Sequence, residues 1–207
     1  MNPAYDTMVW LTYTAQHQDG YEDWLQRVDN PFFNSRPCIA HYSNWKIVAA
    51  HGASLPFTHF DFLGLGGPGS VEPVWFDGPL DEFREGWVTK WGYAGGTPPT
   101  VNRYGYLATR RAATAWRVGR TAIIVGTTGA DEPQGFTRWW FTERLRKHWA
   151  IGRAPQGEPW RTALVPAHRP GGATGLLVRF VASPEGWDRD LPQGAFALLA
   201  TCIAAPD

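Results

Sequence analysis

Two short stretches that alternate in polarity constrain this chain more than any other feature. They run Ile39-Ala40-His41-Tyr42-Ser43-Asn44-Trp45-Lys46-Ile47-Val48 and Phe57-Thr58-His59-Phe60-Asp61-Phe62-Leu63. A period of two sends successive side chains to opposite faces, so each stretch predicts a strand and the pair predicts a hairpin. On the first strand Ile39, His41, Ser43, Trp45 and Ile47 share one face, and Tyr42, Asn44 and Lys46 share the other. On the second, Phe57, His59, Asp61 and Leu63 point together. An imidazole thus stands beside a carboxylate on an aromatic-rich sheet, the combination that supplies a general base and the group that orients it. Alternation does not set the register between the strands, which decides whether His41 joins His59.

The rest of the chain supplies an unusual amount of ring surface: 12 Trp, 11 Phe and 7 Tyr in 207 residues. Such a supply suits either a Trp-rich core or a pocket for a flat ligand, and one set of side chains can serve both. Lys plus Arg equals Asp plus Glu, 19 against 19, so bulk charge gives no reason to expect nucleic acid or an acidic membrane surface as partner. Cys38 and Cys202 stand far apart without a partner motif, which argues against a disulfide framework or a thiolate metal site. Without a basic leader or a long apolar run, the expectation is a soluble, cytoplasmic protein, with a homodimer allowed.

In chain order, Met8 to Ala15 predicts a strand and Tyr21 to Asp29 an amphipathic helix, ended by Asp29-Asn30-Pro31 because Pro cannot continue the hydrogen-bond ladder. The hairpin follows. Gly66-Gly67-Pro68-Gly69 lacks the Lys-Ser/Thr of a phosphate loop and reads as a plain connection. Pro79 to Trp91 predicts a second helix and Arg103 to Thr109 a fourth strand. After a linker over Arg110 to Arg120 the same order is expected again. Thr121 to Thr128 is a strand, Gln134 to Trp149 a helix, Trp160 to Ala167 and Leu176 to Ala182 a strand pair, Pro184 to Asp190 a helical turn, and Gly194 to Ala204 a last strand. Gly20-Tyr21-Glu22-Asp23-Trp24 matches Gly135-Phe136-Thr137-Arg138-Trp139 across the two copies.

Strand, helix, strand, strand, helix, strand is the split βαβ order. On that order, and on the Gly20-Tyr21-x-x-Trp24 helix running into Asp29-Asn30-Pro31, the chain resembles a tandem member of the dimeric α+β barrel superfamily. Its first half is similar to aromatic polyketide cyclases, EthD-like proteins and small quinone-forming monooxygenases. Asp29 and Asn30 stand where relatives often carry a His. The resemblance implies an α+β fold of two ferredoxin-like βαββαβ repeats closed into a pseudo-dimeric barrel, residues 1–110 with the pocket and residues 111–207 as the second half. It also implies a hydrophobic, often aromatic substrate handled without nucleotide or metal, although some branches of the superfamily bind haem.

The expected reaction is that of a cofactor-independent lyase or cyclase acting on a phenolic or polyketide-like small molecule. His59, Asp61, His41 and Tyr13 are the candidate catalytic groups. Trp10, Trp24, Trp45, Phe60, Phe62 and Trp87 would clasp the ring, with Tyr42, Asn44, Arg103 and Tyr104 as polar contacts to a developing oxyanion. No metal and no cofactor is assigned. The rival readings are a haem- or metal-dependent oxidoreductase, with His41, His59 and Asp61 or with His168 as ligands, and a non-catalytic protein that binds an aromatic ligand. His148, beside Arg144, Arg146 and Lys147, reads as part of a solvated basic face, and His17 as a rim residue.

Overall fold

The computed structural model describes residues 4–14, 19–76, 78–87, 90–91, 104–116, 118–145 and 161–206. Among these residues nine strands form one antiparallel sheet: β1 Ala4–Tyr13, β2 Ile39–Gly52, β3 His59–Leu65, β4 Tyr104–Ala115, β5 Thr121–Thr127, β6 Thr137–Leu145, β7 Arg161–Ala163, β8 Gly175–Val181 and β9 Phe196–Ala204. Their order is β4-β1-β3-β2-β9-β5-β8-β6-β7, and β4 also pairs with β6. Since β7 pairs only with β6, the other eight strands close into a barrel, which leaves their ladders without free edges. The seams are β2 on β9 and β4 on β6, which join residues 1–110 and 111–207 into one sheet.

This architecture corrects the expectation of two ferredoxin-like βαββαβ repeats in an α+β fold. The molecule is a mostly-β closed barrel, and the likeness to the dimeric α+β barrel superfamily falls with the helices it required. Strand order does repeat, β4-β1-β3-β2 and β9-β5-β8-β6, but among the described residues α-helices accompany only the first set. They are α1 Tyr21–Trp24, a π turn Leu25–Asp29, α2 Asn30–Asn34, α3 Val71–Phe76 and α4 Gly78–Trp87. Between β5 and β6 there is only a turn, and the expected helix at Gln134–Trp149 is strand β6 as far as Leu145. The matched pentapeptides therefore adopt different structures, helical at Tyr21–Trp24 and extended from Thr137.

Long-range pairing explains the difference. Phe136, Trp139 and Trp140 fall at helical spacing while Trp139 and Phe141 share one face of a strand, and β4 on one side with β8 on the other supplies ladder partners for both flanks of β6, which decides for the strand. Pro31 does not end the first helix either. The π turn resets the hydrogen-bond register ahead of it, so Pro31 falls in the first turn of α2, where a missing N–H costs nothing. The pair expected from 160–167 and 176–182 is likewise divided, with β7 on β6 and β8 between β5 and β6.

The barrel interior takes up much of the ring surface. Trp10, Trp45, Phe60, Phe62, Trp139 and Phe196 interlock there as one cluster. Outside, Val9, Leu11, Tyr42, Leu63 and Leu107 form a second cluster with Phe33 of α2, Val71 and Val74 of α3, and Leu80 of α4. The alternation of β1 to β4 thus feeds two cores, one inside the barrel and one beneath the helices. Among the described residues no helix is long and apolar enough to cross a membrane.

Candidate functional site

The register of β2 on β3 sorts the candidate residues. Asn44 lies opposite Asp61 and Lys46 opposite His59, while Tyr13 lies opposite His59 on the other flank of β3. His59 and Asp61 therefore share the outer, helix-covered face with Tyr13, Tyr42 and Asn44. His41 points into the barrel with Ser43 and Trp45. There its Nε2 lies 3.0 Å from Ser43 Oγ, which accepts from Trp45 Nε1 at 2.9 Å, and its ring stacks on Tyr5 at 6.2 Å. Burial lowers its pKa to about 4, so the ring is neutral at pH 7. The sheet backbone separates His41 from His59 and Asp61.

Beneath the helices is a dense polar cluster. Tyr13 Oη donates to Asp61 Oδ1 at 3.1 Å, and Asn44 Nδ2 donates to Asp61 Oδ1 at 3.0 Å and to Asp29 Oδ2 at 2.9 Å. Tyr42 Oη lies 2.9 Å from Oδ2 of both Asp29 and Asp61, with one proton to give. Asp29 reaches this position because the π turn rotates it inward from between α1 and α2. Asn30 Nδ2 donates to Asn44 Oδ1 at 3.0 Å, and Asn34 exchanges hydrogen bonds with the Tyr42 backbone. Tyr21 hydrogen-bonds Tyr13, whose hydroxyl is held well above its ordinary pKa by burial first and then by the charge of Asp61. Trp87 Nε1 donates to Tyr21 Oη at 3.3 Å, and Trp24 stacks on Tyr21 at 6.4 Å. His59 Nδ1 lies 2.8 Å from Thr58 Oγ1, its ring stacked on Tyr13 at 5.7 Å.

These groups are sealed in: Asp61, Tyr13 and Tyr42 are each 1% exposed and Asn44 is 0%. The cluster fastens α1, the π turn and α2 to the sheet, satisfying buried polar groups that would otherwise cost stability. Asp29, Asn30, Asn34 and Tyr21 are not among the residues that the sequence pattern singles out; for the first three, the run of Asp and Asn inside an aromatic segment is the signal that points to them.

A concavity lies elsewhere, at the mouth of the barrel where β2 leaves for β3. A cleft of about 180 Å³ is lined by Phe57, Tyr104, Tyr106, Arg144, His168 and Arg169, among others. Tyr106 faces the barrel interior, where its ring centroid is 5.8 Å from that of Trp10, and Phe57 stands edge-on to Trp10 at 5.5 Å. The cleft floor is thus the end of the aromatic core. Burial pushes the Tyr106 pKa up to about 12, so its hydroxyl is a donor at neutral pH. Arg144 was expected on a solvated helix face; it is half-buried on β6, opposite Tyr106 across the seam.

Hydrogen bonds preform the cleft rim. Ala53 N donates to Ala195 O at 3.0 Å, Thr14 Oγ1 to Pro56 O at 2.9 Å and Thr58 N to Tyr13 O at 3.1 Å, which pins the 53–58 loop. Gly52 adopts φ 85° and passes so close to Ala195 that a Cβ would stand 2.6 Å from its carbonyl oxygen, so only Gly fits there. Opposite, short turns at Pro166–His168 and Pro170–Gly172 present His168 and Arg169.

The structure therefore divides the candidate residues among separate places. Tyr13, Tyr42, Asn44, His59, Asp61, Trp24 and Trp87 lie beneath the helices; His41, Trp10, Trp45, Phe60 and Phe62 lie inside the barrel; Tyr104 lies at the mouth. Arg103, His17 and His148 fall outside the described residues. Among the described residues no three His, Cys, Asp or Glu side chains gather as a group that could hold a metal ion. Comparison of the chain with family models, with curated proteins and with solved structures finds no match.

Proposed function

We propose that this protein binds a small, flat organic ligand in the cleft at the mouth of the barrel. The observation that carries this reading is the cleft wall of Phe57, Tyr104 and Tyr106, in which Trp10 backs Phe57 and Tyr106, and Tyr106 in turn packs against Tyr104. A concavity lined by aromatics with a few convergent polar groups is the form small-molecule sites take. Its volume, about 180 Å³, is below the roughly 300–1,000 Å³ of sites for drug-sized ligands, so the occupant is about one or two rings in size. The test is a thermal-shift screen of aromatic metabolites followed by calorimetric titration of the hits. Tyr104→Ala should weaken binding about tenfold, the loss of one good ring contact with its buried area. Hits that bind Tyr104→Ala and Phe57→Ala as tightly as the native protein would end the reading.

A second reading keeps general-base chemistry at Asp61, favoured by the convergence of Tyr13, Tyr42 and Asn44 on its carboxylate in an apolar shell. It requires the segment from α1 to α2 to lift away so that a substrate can enter. Turnover that survives Asp61→Asn in a folded variant would exclude it.

A further inference from the structure

We infer that the ligand of the mouth cleft is an amphipathic organic acid, with its anionic head against Arg144 and Arg169 and its apolar body running under the 53–58 loop into an adjoining chamber. This deepens the binding reading and rests on it. Three observations carry it.

The first is the state of the two guanidinium groups. Arg144 on β6 and Arg169 on the turn before Pro170 both line the cleft, and the Nε of each is buried with no hydrogen-bond partner among the described residues. A buried N–H without an acceptor costs free energy, and two of them at one cleft are an unfilled demand for acceptor atoms. The second is charge. The residues lining the cleft include no Asp or Glu, so its own wall does not cancel the two positive charges. A carboxylate or phosphate oxygen supplies both the acceptor and the opposite charge, and guanidinium forks suit either head group.

The third observation is the neighbouring space. A second chamber of about 250 Å³ is lined by Ile47, Ala50, Ala53, Leu55 and Leu198 among others. It shares Ser54, Leu55 and Phe57 with the cleft, so the 53–58 loop is common to both. This lining is mainly aliphatic and also lacks Asp and Glu. A cationic aromatic cleft with an aliphatic chamber against the same loop complements a molecule with one charged end and one apolar end.

The experiment is calorimetric titration at low salt with benzoate, 2-naphthoate, 2-naphthyl phosphate and the neutral isostere 2-naphthamide. The native protein, Arg144→Gln with Arg169→Gln, and Leu55→Asp are compared after circular dichroism shows each variant folded. Either naphthyl acid should bind about tenfold or more tightly than the amide, the usual worth of a charge-assisted hydrogen bond, and added salt should erode the difference. The arginine double variant should bind acid and amide alike. Leu55→Asp should abolish the advantage of 2-naphthoate over benzoate. Equal affinity of acid and amide for the native protein would overturn the anionic head while leaving the binding reading intact. A preference for acid that persists in the arginine double variant would also overturn it, by placing the head elsewhere. Binding of none of the probes at millimolar concentration would overturn both this inference and the binding reading.

Discussion

The guanidinium carbon of Arg144 lies 4.6 Å from the centroid of the Tyr104 ring, holding a cation against an aromatic face at the open end of the barrel. The contact lies at the β4–β6 seam, where closure of the sheet brings together residues 40 positions apart in the chain. An exposed-side cation–π pair contributes only about 0.5–1 kcal/mol, so its value to the fold is small. Arg144→Gln should therefore lower unfolding free energy by less than about 1 kcal/mol while weakening an anionic ligand about tenfold or more. Urea denaturation beside ligand titration separates the two effects; a large stability loss would make Arg144 a structural residue instead.

The cluster beneath the helices should respond in the opposite way. Tyr42→Phe removes the hydroxyl that stands 2.9 Å from both Asp29 and Asp61 and leaves the ring packing on Phe33 unchanged. Losing a buried hydrogen bond to a charged group costs about 1.5–3 kcal/mol. The expected result is a stability loss of that order in urea, with ligand binding at the mouth preserved. A neutral effect would mean that the two carboxylates do not depend on Tyr42.

His41 makes stability sensitive to acid. Burial lowers its folded-state pKa from an ordinary 6.5 to about 4, so between these values the unfolded chain takes up a proton that the folded protein refuses. The stabilising contribution is complete above about pH 6.5 and falls as pH drops to about 4, a loss on the order of 3 kcal/mol. His41→Phe, which keeps a ring beside Tyr5, should flatten the dependence of unfolding free energy on pH across that window. An unchanged slope would assign the acid sensitivity to other groups.

Gly126 tests the packing of the barrel. A Cβ at this position would enter the ring of Phe196, which in turn stacks on Trp10 at 6.4 Å. Gly126→Ala should cost about 1–3 kcal/mol or more, as overpacking of a close-packed interior does, and Phe196→Leu in the same chain should restore part of it. Additive losses in the double variant would contradict this account of the contact.

Within the regular parts of β2 and β3 the faces are legible because alternation is local: His59 and Asp61 share a face, as do Tyr42 and Asn44, whereas Ile39, expected with His41, lies across a register shift in the outer cluster and Phe57, expected with His59, packs inside the barrel. Register was not legible, and register is what put Asn44 opposite Asp61 and turned His41 to the other side of the sheet. The sequence of β6 points to a helix because Phe136, Trp139 and Trp140 fall at helical spacing, and the seam with β4 that decides for a strand joins distant parts of the chain. The same seam brings Arg144 to Tyr104 and Tyr106, so the mouth cleft had no local signature. Asp29 enters the polar cluster through a π turn that no spacing rule announces.

The most direct test of ligand binding at the barrel mouth is backbone amide chemical-shift mapping as 2-naphthoate is added. The account predicts perturbations concentrated in residues 53–58, 104–106 and 167–171, with those around Tyr13, Asp29 and Asp61 unmoved. Perturbations centred on the helix-covered cluster, with the mouth silent, would contradict it.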